Sequence, residues 1–271
     1  MTLGDLQARL SGRPSNPFFQ AVPSSERVRK RYLIGTSARS GSTYLCSRLC
    51  DSGALGFPME FINESYIYEF ERVFPNPSLD DYERYLASHF CSADGVFGIK
   101  SDYYRFEEAL RLGLLRSLLQ PLDLVIHLWR EDYVAQAVSF HLAKETNVWH
   151  SRDLFGRDLE ALHAQVPYSA RAIKEHARSI VNQEYWWRWY LRVSGVRGID
   201  MSYESLLTDV GGAIRRLSEA LEVEAPSAPP SSRVISRATS EVSRSWCERF
   251  RDECDDFVEF WDEYRGLITA H

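Results

Sequence analysis

The chain lacks the features that mark secreted, membrane-spanning or zinc-stabilised proteins. It has five cysteines, an odd number without metal-like pairing, so we expect reduced thiols rather than a disulfide framework. No window approaches the roughly 18 apolar residues that a spanning helix needs. Residues 1–29 hold no apolar stretch typical of a secretory signal. These absences predict a soluble, cytoplasmic protein with no membrane span and no metal site.

An excess of basic charge is also absent. The formal net charge is −6, and charges of both signs are interspersed along the chain. Without a broad positive field we expect no nucleic-acid partner, whereas a local cationic cluster would suit a small anionic ligand. A hydrophobic content of 44% is enough for one globular core. We expect a single domain over residues 30–267, preceded by an N-terminal extension over residues 1–29.

Short apolar runs alternate with amphipathic stretches along the chain. Strands are predicted around Leu33–Ile34 and at Gly95–Lys100, Leu122–Trp129 and Gly198–Ser202. Helices are predicted at Ser42–Asp51, Asp80–Phe90, Phe106–Leu119, Asp132–Lys144, Ser169–Arg192, Asp209–Leu221 and Ser243–Glu263. This alternation predicts an α/β fold with a mainly parallel, P-loop-like sheet flanked by helices.

A polar turn follows the first predicted strand, between Gly35 and Thr43. A strand, tight turn and helix start of this kind direct backbone N–H groups and a helix dipole at one place, which binds anions. The expected donors are Arg39, Ser40, Gly41, Ser42 and Thr43. Lys100 and Arg130 also follow predicted strands, at the edge of a parallel sheet where ligands bind. The pattern predicts a phosphate or sulfate site.

The turn differs from a Walker A loop. Five residues separate Gly35 from Gly41, and Ser42 stands where that motif requires lysine. ATP hydrolysis is therefore not favoured, although a P-loop-type small-molecule kinase or NTPase remains an alternative. A non-catalytic nucleotide-binding protein is a further alternative, as is an ordinary capped helix corner that serves structure alone.

The same turn resembles the first loop of sulfotransferases that use 3′-phosphoadenosine 5′-phosphosulfate (PAPS). Arg130 and, nine residues later, Ser139 resemble the strand-end arginine and the helix serine of that superfamily. The ordered motifs are most similar to the bacterial trehalose 2-sulfotransferase family of carbohydrate sulfotransferases. Matching stretches are residues 37–43, 58–61, 98–100, 127–140, 148–149 and 237–249.

This resemblance implies roles for the matching residues. Arg39 and the loop would hold the 5′-phosphosulfate of PAPS, while Arg130 and Ser139 would hold its 3′-phosphate. Arg237 matches a position near the nucleotide, and Lys100 is placed to reach the leaving oxygen. The product would be adenosine 3′,5′-bisphosphate. The chemistry would need no metal, and the resemblance is compatible with a homodimer.

Glu60 is the candidate general base, because it is the glutamate of the matching Pro-x-Glu-Phe motif. Its sequence neighbours are Phe57, Pro58, Met59 and Phe61. We expect this apolar setting to raise the pKa of Glu60 and so improve it as a base. His127 lies inside the central predicted strand and is expected to be a core histidine instead.

The acceptor pocket is expected to contain Ala38, Phe57, Pro58, Met59, Glu60, Phe61 and Asn63. Trehalose-directed members of the family have polar residues where this chain has Ala38, Phe57 and Met59. Apolar replacements would leave sugar hydroxyls unpaired, at about 1–3 kcal/mol each. We therefore expect the acceptor to be a carbohydrate other than trehalose, a glycolipid or a related hydroxylated small molecule.

Overall fold

The computed structural model describes residues 2–16, 19, 27–226 and 240–269. Its sheet has four parallel strands in the order β2-β1-β3-β4. The strands are β1 (Lys30–Thr36), β2 (Val96–Asp102), β3 (Leu124–Trp129) and β4 (Gly198–Ser202). This all-parallel sheet flanked by helices confirms the predicted α/β fold class.

Helices connect the strands and cover both faces of the sheet. The helices before β3 are α1 (Leu3–Leu10), α2 (Ser42–Ser52), α3 (Glu64–Val73), α4 (Leu79–Phe90), α5 (Tyr103–Leu112) and α6 (Arg116–Leu119). Those after β3 are α7 (Tyr133–Thr146), α8 (Leu159–Ala164), α9 (Ala170–Ser194), α10 (Tyr203–Thr208), α11 (Val210–Leu221), α12 (Glu241–Glu253) and α13 (Asp255–Thr269). A short 3-10 helix spans Ser151–Leu154.

Two predicted helices are each divided in the structure. The stretch predicted as Phe106–Leu119 forms α5 and α6, because Gly113 and Leu115 both adopt left-handed backbone conformations between them. The predicted final helix is interrupted at Cys254, which separates α12 from α13. Helices α1, α3, α8 and α10 were not predicted.

Side chains alternate between the two faces of the central strands, and both faces are buried. Leu33 and Val125 belong to one apolar cluster, which α1 and α3–α6 complete. Ile34 and Ile126 face a second cluster, built with α2 and α11. A third cluster joins α7, α9 and α12. The aromatic residue Trp187 of α9 packs so closely on β1 that a Cβ added at Gly35 would lie 2.7 Å from its ring.

The N-terminal segment belongs to the first cluster. Leu3, Leu6, Leu10 and Phe19 are fully buried there. The buried Asp81 carboxylate of α4 binds this segment: it accepts hydrogen bonds from Ser15 Oγ at 2.6 Å and from the Asn16 backbone N–H at 2.9 Å. The boundary expected near residue 30 therefore does not coincide with an edge of the core.

A single residue extends the sheet beyond β2. Met59 forms a parallel bridge with Ile99, and the Lys100 backbone N–H donates to the Met59 carbonyl at 2.9 Å. The residue after Met59 is thereby held beside the carboxyl end of β2.

All five cysteines have free thiols, as expected, and four of them are buried. Within the described ranges, no helix is both long and apolar enough to cross a bilayer.

Candidate functional site

A cleft of about 1190 Å³ opens at the carboxyl ends of β1, β2 and β3. Parallel sheets bind ligands at this edge because loops and helix N-termini converge there. Predicted site residues that line the cleft are Ala38, Arg39, Gly41, Ser42, Thr43, Glu60, Asn63, Lys100, Arg130 and Ser139. Ser40 is fully buried behind them, where its hydroxyl is hydrogen-bonded to that of Thr36.

The turn after β1 leads into the N-terminus of α2. Gly41 is the N-cap of this helix, with a φ of 86°, and no side chain among the described residues accepts a hydrogen bond from its first turn. A Cβ on Gly41 would overlap the Tyr203 ring, so only glycine fits. The dipole and N–H groups of α2 face the cleft and suit an anion.

Arg39 and Ser139, far apart in sequence, meet across the cleft. Arg39 Nε donates to Ser139 Oγ at 3.0 Å, and its Nη1 donates to the Trp149 carbonyl. Burial, followed by repulsion from Arg130, lowers the pKa of Arg39. Two guanidinium groups brought this close favour an anion between them.

Arg130 retains hydrogen-bonding capacity. Its Nε is buried and makes no hydrogen bond within the described part of the chain, and it lies 3.8 Å from Glu204 Oε1. The guanidinium lies 5.7 Å from the centre of the Tyr203 ring. An unsatisfied buried donor is costly unless a ligand accepts from it. This donor, together with Arg39 and the open helix terminus, suits an anionic ligand.

Glu60 and Lys100 form an ion pair at the cleft floor, with 2.8 Å between Glu60 Oε1 and Lys100 Nζ. Asn63 also donates to Glu60 Oε2 at 3.2 Å, and Lys100 Nζ lies 3.4 Å from Thr43 Oγ1. Burial raises the pKa of Glu60, but the Lys100 charge and these hydrogen bonds outweigh it, so the net pKa is lowered. The expectation of a raised pKa was wrong, because it considered sequence neighbours and not Lys100.

The lysine is affected in the opposite direction. Burial lowers the pKa of Lys100, whereas the neighbouring Cys46 thiol and the Glu60 carboxylate raise it, and the net pKa is raised. Only 7% of Lys100 is exposed. It therefore presents a buried positive charge at neutral pH between Glu60 and the turn after β1.

Four residues expected in the acceptor pocket lie elsewhere. Phe57, Pro58, Met59 and Phe61 are all described, and none of them lines the cleft. Pro58 and Phe61 are buried, and Phe61 stacks on Phe97. Met59 packs against the first apolar cluster. Of the three positions on which the argument against trehalose depended, only Ala38 contacts the cleft.

The remaining predictions have separate outcomes. Arg237 lies outside the described residues. Trp246, which lies within the matching stretch 237–249, is a core residue that packs on His141 and Tyr168. His127 is a core histidine as expected, with Nδ1 2.6 Å from Asp200 Oδ1.

Sequence reasoning missed the polar end of the cleft beyond Lys100. Asp102 and Arg105 line it, and Arg105 donates to Asp102 Oδ2 at 2.7 Å and to Glu64 Oε2 at 3.2 Å. Ser65 lines the same end. The predicted strand ended at residue 100 and the next predicted helix began at residue 106. The sequence did hold one signal for this region: Asp102 follows the predicted strand, and aspartate is a common N-cap residue at the start of a helix.

Among the residues that the structure describes, no group of three or more His, Cys, Asp or Glu side chains is arranged to hold a metal ion. The requirement for a metal therefore stays a matter for experiment.

Comparison with known proteins identifies the family. The sequence model of the Stf0 sulphotransferases matches residues 31–92 and 105–253. A trehalose 2-sulfotransferase of Mycobacterium tuberculosis is 25% identical over 268 aligned residues, covering 84% of this chain and 96% of the relative. A trehalose 2-sulfotransferase of Mycolicibacterium smegmatis is 26% identical over 266, covering 81% and 94% respectively. The family match covers most of the chain and includes the turn after β1, Glu60 and Arg130, so the chain belongs to the Stf0 sulfotransferase family.

Proposed function

We propose that the protein transfers a sulfuryl group from PAPS to a hydroxyl group of a carbohydrate or a related small molecule. The observation that carries the proposal is the continuous line of groups along the cleft floor. It runs from Glu60 through Lys100 and Thr43 to the open terminus of α2. A base, a cation and an anion-binding terminus thus stand in the order that transfer from a phosphosulfate to a hydroxyl requires.

The donor end is assigned from the cationic side chains and the free donors. Arg39 and the N–H groups of residues 41–43 would hold the phosphosulfate, and Arg130 with Ser139 would hold the 3′-phosphate. When bound, PAPS supplies an activated sulfuryl group and a phosphate leaving group. Lys100, fixed between Glu60 and Thr43, would stabilise negative charge that develops at the leaving oxygen.

Glu60 would accept the proton of the attacking hydroxyl. Because Lys100 lowers its pKa, the carboxylate is ionised at neutral pH and needs no prior deprotonation. Asn63 and Lys100 fix both carboxylate oxygens, which orients the group before an acceptor arrives. The Glu60 side chain is 45% exposed, so it remains accessible from the cleft.

The acceptor end supports a polyhydroxylated acceptor. It offers the amide of Asn63, the hydroxyl of Ser65, the carboxylate of Asp102 and the guanidinium of Arg105. Groups of this kind exchange hydrogen bonds with neighbouring sugar hydroxyls. The argument against trehalose relied on Ala38, Phe57 and Met59, and only Ala38 lines the cleft. Both curated relatives are trehalose 2-sulfotransferases. Trehalose is therefore the first acceptor to test, alongside glycolipids and other sugars.

Two measurements test this proposal. Thermal unfolding should be shifted upward by adenosine 3′,5′-bisphosphate more than by ATP with Mg²⁺. The reverse order would favour a kinase or NTPase instead. Incubation with ³⁵S-labelled PAPS and a panel of sugars, glycolipids and cell extracts should then label an acceptor. Nucleotide binding without transfer to any acceptor in the panel or the extracts would favour the non-catalytic alternative.

We also propose a homodimer. Trp186 and Trp189 of α9 are partly exposed large aromatic side chains on one surface, and such residues are enriched at interfaces. Light scattering coupled to size-exclusion chromatography should give twice the 31.3 kDa chain mass. Elution as a single chain at micromolar concentration would contradict the dimer.

A further inference from the structure

A mostly buried arginine of the last helix contacts the backbone that carries Arg130. Arg265 of α13 donates from Nη2 to the Arg130 carbonyl at 2.7 Å and from Nη1 to the Glu131 carbonyl at 2.8 Å. Two consecutive carbonyls are therefore turned toward one guanidinium. Helix α13 is remote in sequence, so this contact joins the end of the chain to the carboxyl end of β3.

Arg265 is itself held firmly. Its Nε and Nη2 donate to the two carboxylate oxygens of Glu184, both at 3.0 Å, in a bidentate pair. The guanidinium carbon lies 5.4 Å from the centre of the Trp129 ring and 5.0 Å from that of Tyr133. Only 12% of the Arg265 side chain and 2% of the Glu184 side chain are exposed. A rigid group of this kind can fix the backbone that it contacts.

The Arg130 side chain depends on that backbone for its direction. Its Nε makes no hydrogen bond within the described chain, and its approach to Glu204 is long, at 3.8 Å. The opposite side of the same loop is also fixed, since the Glu131 N–H donates to Glu204 Oε2 at 3.0 Å. The two peptide groups after β3 are thus held from both sides, while the Arg130 side chain extends into the cleft.

We infer that Arg265 is a positioning residue for recognition of the nucleotide 3′-phosphate, acting through the carbonyls of Arg130 and Glu131. The inference rests on the proposed function, in which Arg130 binds that phosphate. Arg265 does not line the cleft. Its contribution is the orientation of Arg130, so its loss should weaken binding of the 3′-phosphate and leave the rest of the nucleotide site unaffected.

Arg188 offers a closely matched control. It is buried to the same degree, with 11% of its side chain exposed, and it lies on the same Trp129 ring at 5.2 Å. It pairs with the same Glu184 carboxylate at 3.7 Å, but its Nη1 and Nη2 atoms make no hydrogen bond to any residue that the structure describes. Replacing Arg188 therefore perturbs the same charge cluster without removing the two carbonyl contacts.

The test compares two ligands by calorimetry, adenosine 3′,5′-bisphosphate and adenosine 5′-monophosphate, which lacks the 3′-phosphate. We expect Arg265→Met to reduce the ratio of their association constants by about tenfold, the order of one hydrogen bond to a charged group. Arg188→Met should keep the wild-type ratio even if its unfolding temperature falls. Arg265→Lys retains the charge, but a lysine cannot reach the carboxylate and both carbonyls at once. We therefore expect it to lower the ratio of the two association constants as well.

Each outcome is decisive. If Arg265→Met, or Arg265→Lys where the first variant does not fold, keeps the wild-type ratio, the inference is overturned. An equal loss of the ratio in Arg188→Met would also overturn it, since the effect would then belong to the charge cluster as a whole. If the wild-type protein does not prefer the 3′-phosphorylated ligand, the assignment of Arg130 in the proposed function fails, and the inference fails with it.

Discussion

Replacing Glu60 with glutamine removes the proposed base while keeping its size. Glutamine cannot accept the hydroxyl proton, and loss of a general base typically costs about 10²–10⁴-fold in rate. We expect turnover of labelled PAPS to fall by that factor. The affinity for adenosine 3′,5′-bisphosphate should stay unchanged or rise, because a negative charge beside the anion site has been removed.

The substitution also leaves Lys100 without its counter-ion. Removing one partner of a fully buried pair costs about 3–5 kcal/mol, whereas exposed pairs contribute about 0–1 kcal/mol. Lys100 is buried but 45% of the Glu60 side chain is exposed, so solvent screens the pair. We expect a loss of about 1–2 kcal/mol in the free energy of unfolding, between those two limits. Urea denaturation at neutral pH measures this quantity.

The pH dependence gives an independent check on Glu60. Because its pKa is lowered from the ordinary value of 4.5, wild-type turnover should remain on its plateau until the pH falls below that value. A decline in turnover around neutral pH that is assigned to Glu60 would contradict this. Glu64→Gln is the matched control for the Glu60→Gln substitution. Glu64 is also a paired glutamate, 3.2 Å from Arg105, but it does not line the cleft.

The reasoning about the base would be refuted by a Glu60→Gln variant that binds the bisphosphate normally and loses less than about tenfold in turnover. A similar loss in Glu64→Gln would assign the effect to the loss of any negative charge near the cleft rather than to the Glu60 carboxylate.

Three further predictions concern the fold and the donor site. Gly35→Ala should destabilise the protein by about 1–3 kcal/mol in urea denaturation, because the new methyl group would meet Trp187 at 2.7 Å, while Gly266→Ala, in open space, should not. Arg130→Met should weaken binding of adenosine 3′,5′-bisphosphate by about 10–100-fold and leave adenosine 5′-monophosphate almost unaffected; equal losses would contradict the assignment. Burial raises the pKa of Asp81, but hydrogen bonds outweigh burial, so the pKa in the folded protein lies below the ordinary value of 3.8. Ionised Asp81 therefore stabilises the fold above pH 3.8, and this stabilisation is lost as the pH falls through the lowered pKa. Asp81→Asn should therefore flatten the acid decline in the free energy of unfolding, and an unchanged decline would be evidence against this role.

Local patterns in the sequence were sufficient to predict the sheet and the turn after β1. The predicted strand over Gly198–Ser202 is the observed β4, in which the apolar Ile199 and Met201 alternate with polar residues, a pattern typical of a strand. Glycine and serine spacing likewise identified the turn between Gly35 and Thr43. Both depend on residues that are close together in the chain.

The features that were missed depend on contacts between distant residues. Burial raises the pKa of Glu60, and Lys100, forty positions away, contributes most to lowering it. The residues 57–61 alone do not show that Lys100 lies beside the carboxylate. The break between α5 and α6 requires Leu115 in a left-handed conformation, which leucine rarely adopts and sequence therefore does not suggest. Arg265 contacts a carbonyl 135 residues earlier in the chain.

The bridge between Met59 and Ile99 has a consequence for how this sequence can vary. Glu60 is placed by backbone hydrogen bonding to β2, as if it followed a one-residue fifth strand, and not by a freely moving loop. Since successive side chains in a strand point to opposite faces, an insertion or deletion of one residue between Gly56 and Glu60 would turn the carboxylate away from Lys100. Point substitutions in this segment should therefore be tolerated far better than any change in its length.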